Sequence, residues 1–403
     1  MTESIDTMAT FPRKHLFEMP NDVIYLDGNS LGPLPKNVLS RVNEVITKEW
    51  GERLIRGWND SKWMEQPLRV GNQIGKLIGA LENTVIMGDT LSIKVYQALS
   101  AALELNPQRR VILSDSGNFP TDLYMAQGLI QSLNNGYELH IVEPEDVITA
   151  IDETVAAVMI THVDYRTGRM HNMQRITQKA HKNGAVMIWD LAHSAGAVPV
   201  DLSASNCDMA VGCTYKYLNG GPGSPAFIYV RPDIIEKLRP TLSGWMGHDS
   251  PFAFTQAYQP AKSIERLRVG TPPVIQLSIL EEALKIWQDV DMNQIRDASI
   301  VLSETLIREV EKRCPQLKLV SPRDPLQRGS QVSFAFEHGY AAMQSIIAQG
   351  VIGDFRAPDI MRFGLTPLYL DEQDVISAVD VLETVLNQRL WDKLDFQKTR
   401  RVT

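Results

Sequence analysis

An acid and an amine stand twenty-six positions apart in this chain: Asp190, closing the apolar run AVMIWD, and Lys216, beyond a second apolar run, MAVGC. Both runs read as strands with the charged residue at or past the carboxyl end. In an open α/β sheet ligands collect outside the carboxyl ends of the strands, so the two groups can face one bound molecule. Taken singly, an Asp after a strand is a turn former or helix cap, and a Lys between two tyrosines is a solvated charge. The setting adds weight to the pair. Asp190 is followed by His193, Ser194 and Gly196, and Lys216 by the small-residue run Asn219-Gly220-Gly221-Pro222-Gly223, which lets backbone approach a ligand closely. The arrangement suits pyridoxal phosphate, whose aldehyde needs a lysine amine and whose ring nitrogen needs a carboxylate to stay protonated.

The elements that must position this pair alternate along the middle of the chain. Strands are expected over 84–88, 109–115, 156–163 and 185–190, with helices between them and near-continuous apolar strand sequences, the pattern of a buried parallel sheet. Asp89-Thr90-Leu91-Ser92 opens a helix, and small hydroxylated residues there serve as caps, as a phosphate site, or as both. Phe119-Pro120-Thr121-Asp122 opens another, where a Phe is ordinarily a hydrophobic staple. Residues 240–273 are irregular and rich in Gly, Pro, Trp and Tyr, and a loop of that length is functional or lies at a subunit interface. A long helical pattern over 274–314 joins this part to a C-terminal α+β unit with strands over 317–320, 330–336, 351–355 and 360–365 and a last helix over 371–390. The N-terminal part reads as a short strand over 23–26, a turn at 27–30, a helix over 35–51, a break at 57–60 and a helix over 64–81. The domain expectation is therefore an N-terminal segment (1–60) packing on the small domain, a large cofactor domain (61–275) and a small domain (276–403).

Composition limits the partners. With 403 residues and 44% apolar content the chain is long enough for more than one core. A net charge of −8 argues against nucleic acid and anionic membrane surfaces, both of which select basic patches. Three cysteines, Cys207, Cys213 and Cys314, lack metal-ligand spacing and fit a reducing compartment, so no metal is expected. The N-terminus has no continuous apolar run of the secretory kind, and no later stretch is long and apolar enough to span a bilayer, so the expected place is the cytoplasm.

Seven phrases carry a resemblance: YLDGNSLG (25–32), FPTD (119–122), WDLAHSAGA (189–197), YKYLNGGPG (215–223), GWMGH (244–248), RLRVGTPP (266–273) and MRFGLTPLY (361–369). In this order, over most of the chain, they resemble the kynureninases, fold-type I pyridoxal phosphate enzymes similar to class V aminotransferases. The resemblance implies a large domain whose mainly parallel sheet is sandwiched by helices, and a smaller α+β domain. It implies hydrolysis of the Cβ–Cγ bond of L-kynurenine to anthranilate and L-alanine, within tryptophan catabolism. It implies a homodimer with its active site at the interface.

The resemblance also distributes roles. Lys216 holds the cofactor and moves the α-proton, and Asp190 partners the ring nitrogen. Leu91 (through its backbone) and Ser92 meet the phosphate, and Tyr215 is the candidate acid–base group. Phe119 stacks on the ring, with Pro120, Thr121, Asp122, Thr161, His193, Trp245 and Thr271 completing the cofactor set, Thr271 from the partner subunit. Arg362 clamps the substrate α-carboxylate, with Asn29 nearby, and Trp58 and His248 shape the aryl pocket. Plainer readings stay open: Trp58 as a packing aromatic, Thr161 as a β-former, Arg362 paired with an internal acid, and Tyr215 as phosphate ligand rather than acid–base group. A single small hydroxyl at Thr271 leads us to expect preference for kynurenine over 3-hydroxykynurenine. The alternative function on the same fold is a cysteine desulfurase or class V aminotransferase; a desulfurase needs a reactive cysteine on a mobile loop.

Overall fold

The computed structural model describes residues 11–398; the polar lead before Phe11 lies outside them. Runs of Val, Ile, Met and Ala form the large sheet: β1 (Val85–Met87), β2 (Val111–Asp115), β3 (Glu138–Val142), β4 (Val155–Thr161), β5 (Val186–Asp190), β6 (Met209–Gly212) and β7 (Phe227–Val230). Every residue of β4 is buried, as expected for a strand covered by helices on both faces, whereas β3 closes one edge and alternates with solvent. Each large apolar side chain buried there contributes about 1.5–3 kcal/mol relative to an exposed one.

The spatial order is β1-β7-β6-β5-β4-β2-β3, with β7 antiparallel to both neighbours and the pairs from β6 through β3 parallel. The carboxyl ends of β1, β2, β4, β5 and β6 therefore share one edge. In register, Thr161 lies beside Asp190, and Asp190 beside Val211. Helices Leu91–Leu105 and Pro120–Leu133 begin at that edge, after β1 and β2, so their N-termini point toward the same space.

The second unit is an antiparallel sheet of β8 (Lys318–Leu319), β9 (Gln331–Ala335), β10 (Asp354–Arg356) and β11 (Ile360–Gly364), in the order β8-β9-β11-β10. Helices Met292–Arg313, Gly339–Ile347 and Glu372–Asn387 pack with it, the last begun by a capping box between Asp371 and Asp374. Three local expectations need correction. The helix over 274–314 is broken: Val274–Ala283 ends in a tight turn, and Asp291 starts a new helix by accepting the Asn293 N–H. The stretch 351–355 is two strands, because Gly353 packs against the Arg362 carbonyl while Val351–Ile352 pairs with Ile24–Tyr25 and β10 pairs with β11. The break at 57–60 is a short helix, Gly57–Asp60, and the N-terminal helix widens after Glu44 into a π-helix, Val45–Glu52.

The N-terminal segment stitches these parts together. Leu26 donates to the Ile352 carbonyl (2.7 Å) and accepts from Gly364 (2.7 Å), while Gly32 donates to the Tyr215 carbonyl (2.8 Å). Asn219 Nδ2 donates to the Pro33 carbonyl at 3.2 Å. A Cβ on Gly32 would lie 2.3 Å from the Lys216 carbonyl oxygen and 2.9 Å from the Asn219 Cα. Backbone cannot swing aside as a side chain does, so Gly32→Ala is expected to destabilise by about 1–3 kcal/mol, read as a lower urea midpoint at unchanged slope.

Candidate active site

At the shared strand edge Lys216 Nζ lies 2.7 Å from His193 Nε2. Burial first, and the Lys216 charge second, hold the His193 imidazole well below its ordinary pKa. The ring is therefore neutral and accepts from the lysine, which puts its own proton on Nδ1; that atom is buried without a partner. Asp190 accepts the Ala192 N–H at 2.8 Å, and burial pushes its carboxyl up to about 6 although Ala192 and Lys216 both pull it down. Asp122, in the first turn of Pro120–Leu133, stands well above the usual carboxylate range because of burial and then the charge of Asp190. Both Asp122 oxygens are buried and unpartnered.

These orphaned polar atoms test whether the residues fit pyridoxal phosphate. Buried acceptors and donors are normally satisfied, so a cluster of unsatisfied ones around a lysine is the environment of a polar ligand. The fit extends outward. Phe119 is 41% exposed at the N-cap of its helix, with its ring 6.0 Å from Lys216 Nζ, so it is placed to cover a ligand rather than to act as a staple. Thr161 is buried beside Asp190 and donates to the Val163 carbonyl at 3.2 Å. Pro120 and Thr121 start the helix that carries Asp122. The Thr90 side chain makes no cap bond, which leaves the first-turn N–H groups at Leu91 and Ser92 to an anion. Tyr215 is raised above the ordinary phenol range by burial and then by Cys213, so it is a neutral proton donor.

Arg362, 1% exposed, occupies a second centre. Its Nε donates to Asp354 Oδ1 at 2.6 Å, and its Nη2 reaches Asp354 Oδ2 and, at 3.1 Å, Ser30 Oγ. Its Nη1 donates to the Tyr165 carbonyl. The internal-acid pairing that the sequence left open is thus present at Asp354. Of five N–H groups these bonds leave one, on Nη1. The two centres communicate through aromatics: the Tyr165 ring meets the Phe119 ring edge-on at 5.1 Å. Asn29 is buried here, donating to Gln331 Oε1 at 3.2 Å with its own Oδ1 unpartnered.

Trp58, Trp245 and Thr271 come together elsewhere, around a cavity of about 450 Å³ that shares no lining residue with Lys216 or Arg362. His248 does not line it. Its Nδ1 accepts the Ser250 N–H at 2.8 Å, its Nε2 lies 3.2 Å from both the Ala257 carbonyl and Thr255 Oγ1, and its ring packs against Tyr258. Sequence reasoning passed over Asp354, Arg356, Tyr165, Ser30 and Asp27. A signal existed for the first: an Asp within the apolar run VIGDF asks for a partner. All three cysteines are buried, and burial raises each thiol, Cys314 to about 11, which removes the reactive thiol a desulfurase needs.

The raised Asp190 carboxyl has a consequence for stability. Its folded pKa of about 6 exceeds the ordinary 3.8, so the folded chain holds the extra proton and stability falls as pH rises through that window. At pH 8 the cost is on the order of 3 kcal/mol. Freed of cofactor, Asp190→Asn is expected to melt higher than the unsubstituted chain at pH 8 and alike at pH 3.5; thermal unfolding at both values checks it.

Comparison with known proteins agrees with this geometry. Residues 295–382 match the family described as kynureninase C-terminal domain, and residues 96–210 match the DegT/DnrJ/EryC1/StrS aminotransferase family. A kynureninase from Pseudomonas fluorescens is 48% identical over 405 residues, covering 99% of this chain and 97% of the relative. One from Burkholderia mallei (strain SAVP1) is 49% identical over 399 residues, covering 97% and 96%. Among solved structures, a cysteine desulfurase from Thermococcus onnurineus NA1 superposes with a TM-score of 0.80 at 18% identity, covering 94% of this chain and 99% of that one. The cysteine desulfurase CsdA of Escherichia coli gives 0.78 at 18%, covering 93% and 98%. The structural likeness shows the fold-type I architecture alone, whereas near-half identity over almost the whole length shows the family: this chain belongs to the kynureninases.

Proposed function

We propose that this chain, using pyridoxal phosphate held at Lys216 and Asp190, hydrolyses L-kynurenine to anthranilate and L-alanine through the division of labour that follows. The observation that carries the reading is Lys216, 2.7 Å from a neutral His193, among the buried acids Asp190 and Asp122. When bound, pyridoxal phosphate supplies an aldehyde for amines and a ring that accepts electrons. Asp190 would keep its ring nitrogen protonated, Asp122, Thr161, His193 and Phe119 would hold its ring, and the Leu91 and Ser92 N–H groups with Tyr215 would hold its phosphate. Lys216 would carry the cofactor and move the α-proton, a transfer favoured where little water competes. Tyr215, a neutral phenol, returns a proton to the carbon fragment that becomes alanine. Arg362 takes the α-carboxylate with its remaining Nη1 donor and whatever Ser30 and Tyr165 yield, with Asn29 beside it.

We place the aryl ring against Trp58 and His248, and Trp245 and Thr271 on a cofactor held by the partner subunit. Two observations support this homodimer. The cavity of Trp58, Trp245 and Thr271 stands apart from Lys216 within one chain, and Trp50, Ile55, Phe252 and Phe254 lie exposed beside those residues as a cluster of large apolar side chains. Among the described residues no helix is long and apolar enough to cross a membrane.

Lys216→Ala is expected to stop anthranilate release from kynurenine, followed by its fluorescence, while circular dichroism stays that of the folded chain; residual turnover within tenfold of the unsubstituted enzyme would move the role to another lysine. Arg362→Leu is expected to raise KM at least tenfold and also to lower Tm, since the buried Asp354 loses both of its Arg362 hydrogen bonds. For the ring, a site without a partner for the 3-hydroxyl loses about 1–3 kcal/mol, so kcat/KM is expected to favour kynurenine roughly tenfold and Thr271→Asn to narrow the ratio. A higher kcat/KM on 3-hydroxykynurenine would refute this account of the pocket and leave the bond cleaved unchanged.

A further inference from the structure

The charges around Arg362 are finely balanced. Two guanidiniums, Arg362 on β11 and Arg356 on β10, face two carboxylates, Asp354 on β10 and Asp27 in the turn after Ile24–Tyr25. With both acids ionised the group sums to zero. A substrate carboxylate arriving at Arg362 adds a third negative charge to two positive ones.

The two acids are not equally able to keep their charge. Asp354 accepts from Arg362 Nε and Nη2 and from Ser30 Oγ at 2.7 Å, and pairs with Arg356 Nη2 at 2.8 Å, so both of its oxygens are engaged. Asp27 has Oδ1 buried with no partner and only Ser30 to share. Ser30 is itself the bridge: its N–H donates to the Asp27 carbonyl at 2.9 Å, and its hydroxyl accepts from Arg362. We propose that Asp27 takes a proton from solvent when a carboxylate docks at Arg362, so that binding of the acid substrate is coupled to uptake of one proton at this turn. This rests on the reading of Arg362 as the carboxylate site.

Protonation turns Asp27 from an acceptor into a donor and restores neutrality without disturbing the Asp354–Arg362 pair. The other groups that face it do not compete. Tyr25 on the preceding strand, Tyr217 on the lysine loop and Tyr369 after β11 all have their phenols raised by burial and stay neutral, and Asp354 is held below its ordinary value, its burial being outweighed by Arg362, Arg356 and Ser30 together. Burial, and then the charge of Asp354, already push Asp27 itself up to about 7, so a further negative charge tips it within the neutral range.

The test is calorimetry on the holoenzyme with 3-benzoylpropionate, an aryl keto acid that has the substrate carboxylate but no amine to titrate. Titrations at pH 8 and pH 5.5, each in two buffers of different ionisation enthalpy, give the protons taken up. Uptake approaching one at pH 8 and near zero at pH 5.5, with Kd rising toward tenfold per pH unit above neutrality, is the expected result. Asp27→Asn is expected to bind at pH 8 without uptake and about as tightly as the unsubstituted enzyme at pH 5.5. Binding at pH 8 with no proton taken up, uptake that persists in Asp27→Asn, or equal uptake with the neutral 3-benzoylpropionamide would overturn the proposal. Keto-acid affinity unchanged in Arg362→Leu would instead remove Arg362 from the carboxylate site, a failure of the underlying reading that the proton count distinguishes.

Discussion

The contact on which the rest depends is the one between Lys216 and His193. A lysine amine held 2.7 Å from a histidine stays productive only if that histidine does not compete for charge, and burial ensures this by keeping the imidazole neutral. The same burial works against Asp190 and Asp122, whose carboxyls are pushed up because one lysine and one backbone N–H are too little to satisfy two acids. The bare chain therefore stores an electrostatic deficit at the sheet edge that a ligand with a protonatable ring nitrogen relieves. Sheet order fixes the geometry: Asp190 ends a central strand with Thr161 at its side, and the lysine loop follows the next strand.

The Arg362 centre obeys the same rule with the opposite sign. Here two guanidiniums are balanced by Asp354 and Asp27, and the Arg362 guanidinium is kept in place by Asp354, Ser30 and Tyr165. Residues 24–33 connect both centres. They pair with Val351–Ile352, supply Asp27, Asn29 and Ser30 to the arginine, and bond the backbone of Tyr215, next to the lysine. The Phe119–Tyr165 ring contact closes the loop from the other side. A change at either centre is thus felt at the other through packed backbone rather than through a flexible linker.

Much of this was legible in the sequence, for definite reasons. Continuous apolar runs mark strands buried on both faces, so the ends of AVMIWD and MAVGC located Asp190 and Lys216 near one edge before any coordinates. Turn and cap chemistry located the helix starts at Leu91 and Pro120. What stayed hidden depends on contacts distant in sequence. Nothing local says that Arg362 meets Asp354 across two antiparallel strands, or that Gly353 splits a five-residue apolar run between two sheets. The break before Asp291 was masked because apolar residues continue in helical register through it. Nor does local sequence show that both ring nitrogens of His248 are engaged within its own loop, which leaves only the face of its ring to a ligand.

A neutral histidine partner and flanking acids single out Lys216 as the cofactor lysine we propose, and among the described residues one other lysine, Lys94, is more deeply buried. Lys94, in the first turn of Leu91–Leu105, is instead committed to Asp89, Gln97 and the Leu267 carbonyl. Peptide mass spectrometry after borohydride reduction of the pyridoxal phosphate-loaded chain separates them. The account predicts a single reduced adduct on the peptide containing Lys216. An adduct on Lys94, or on any lysine outside the sheet edge, would contradict it.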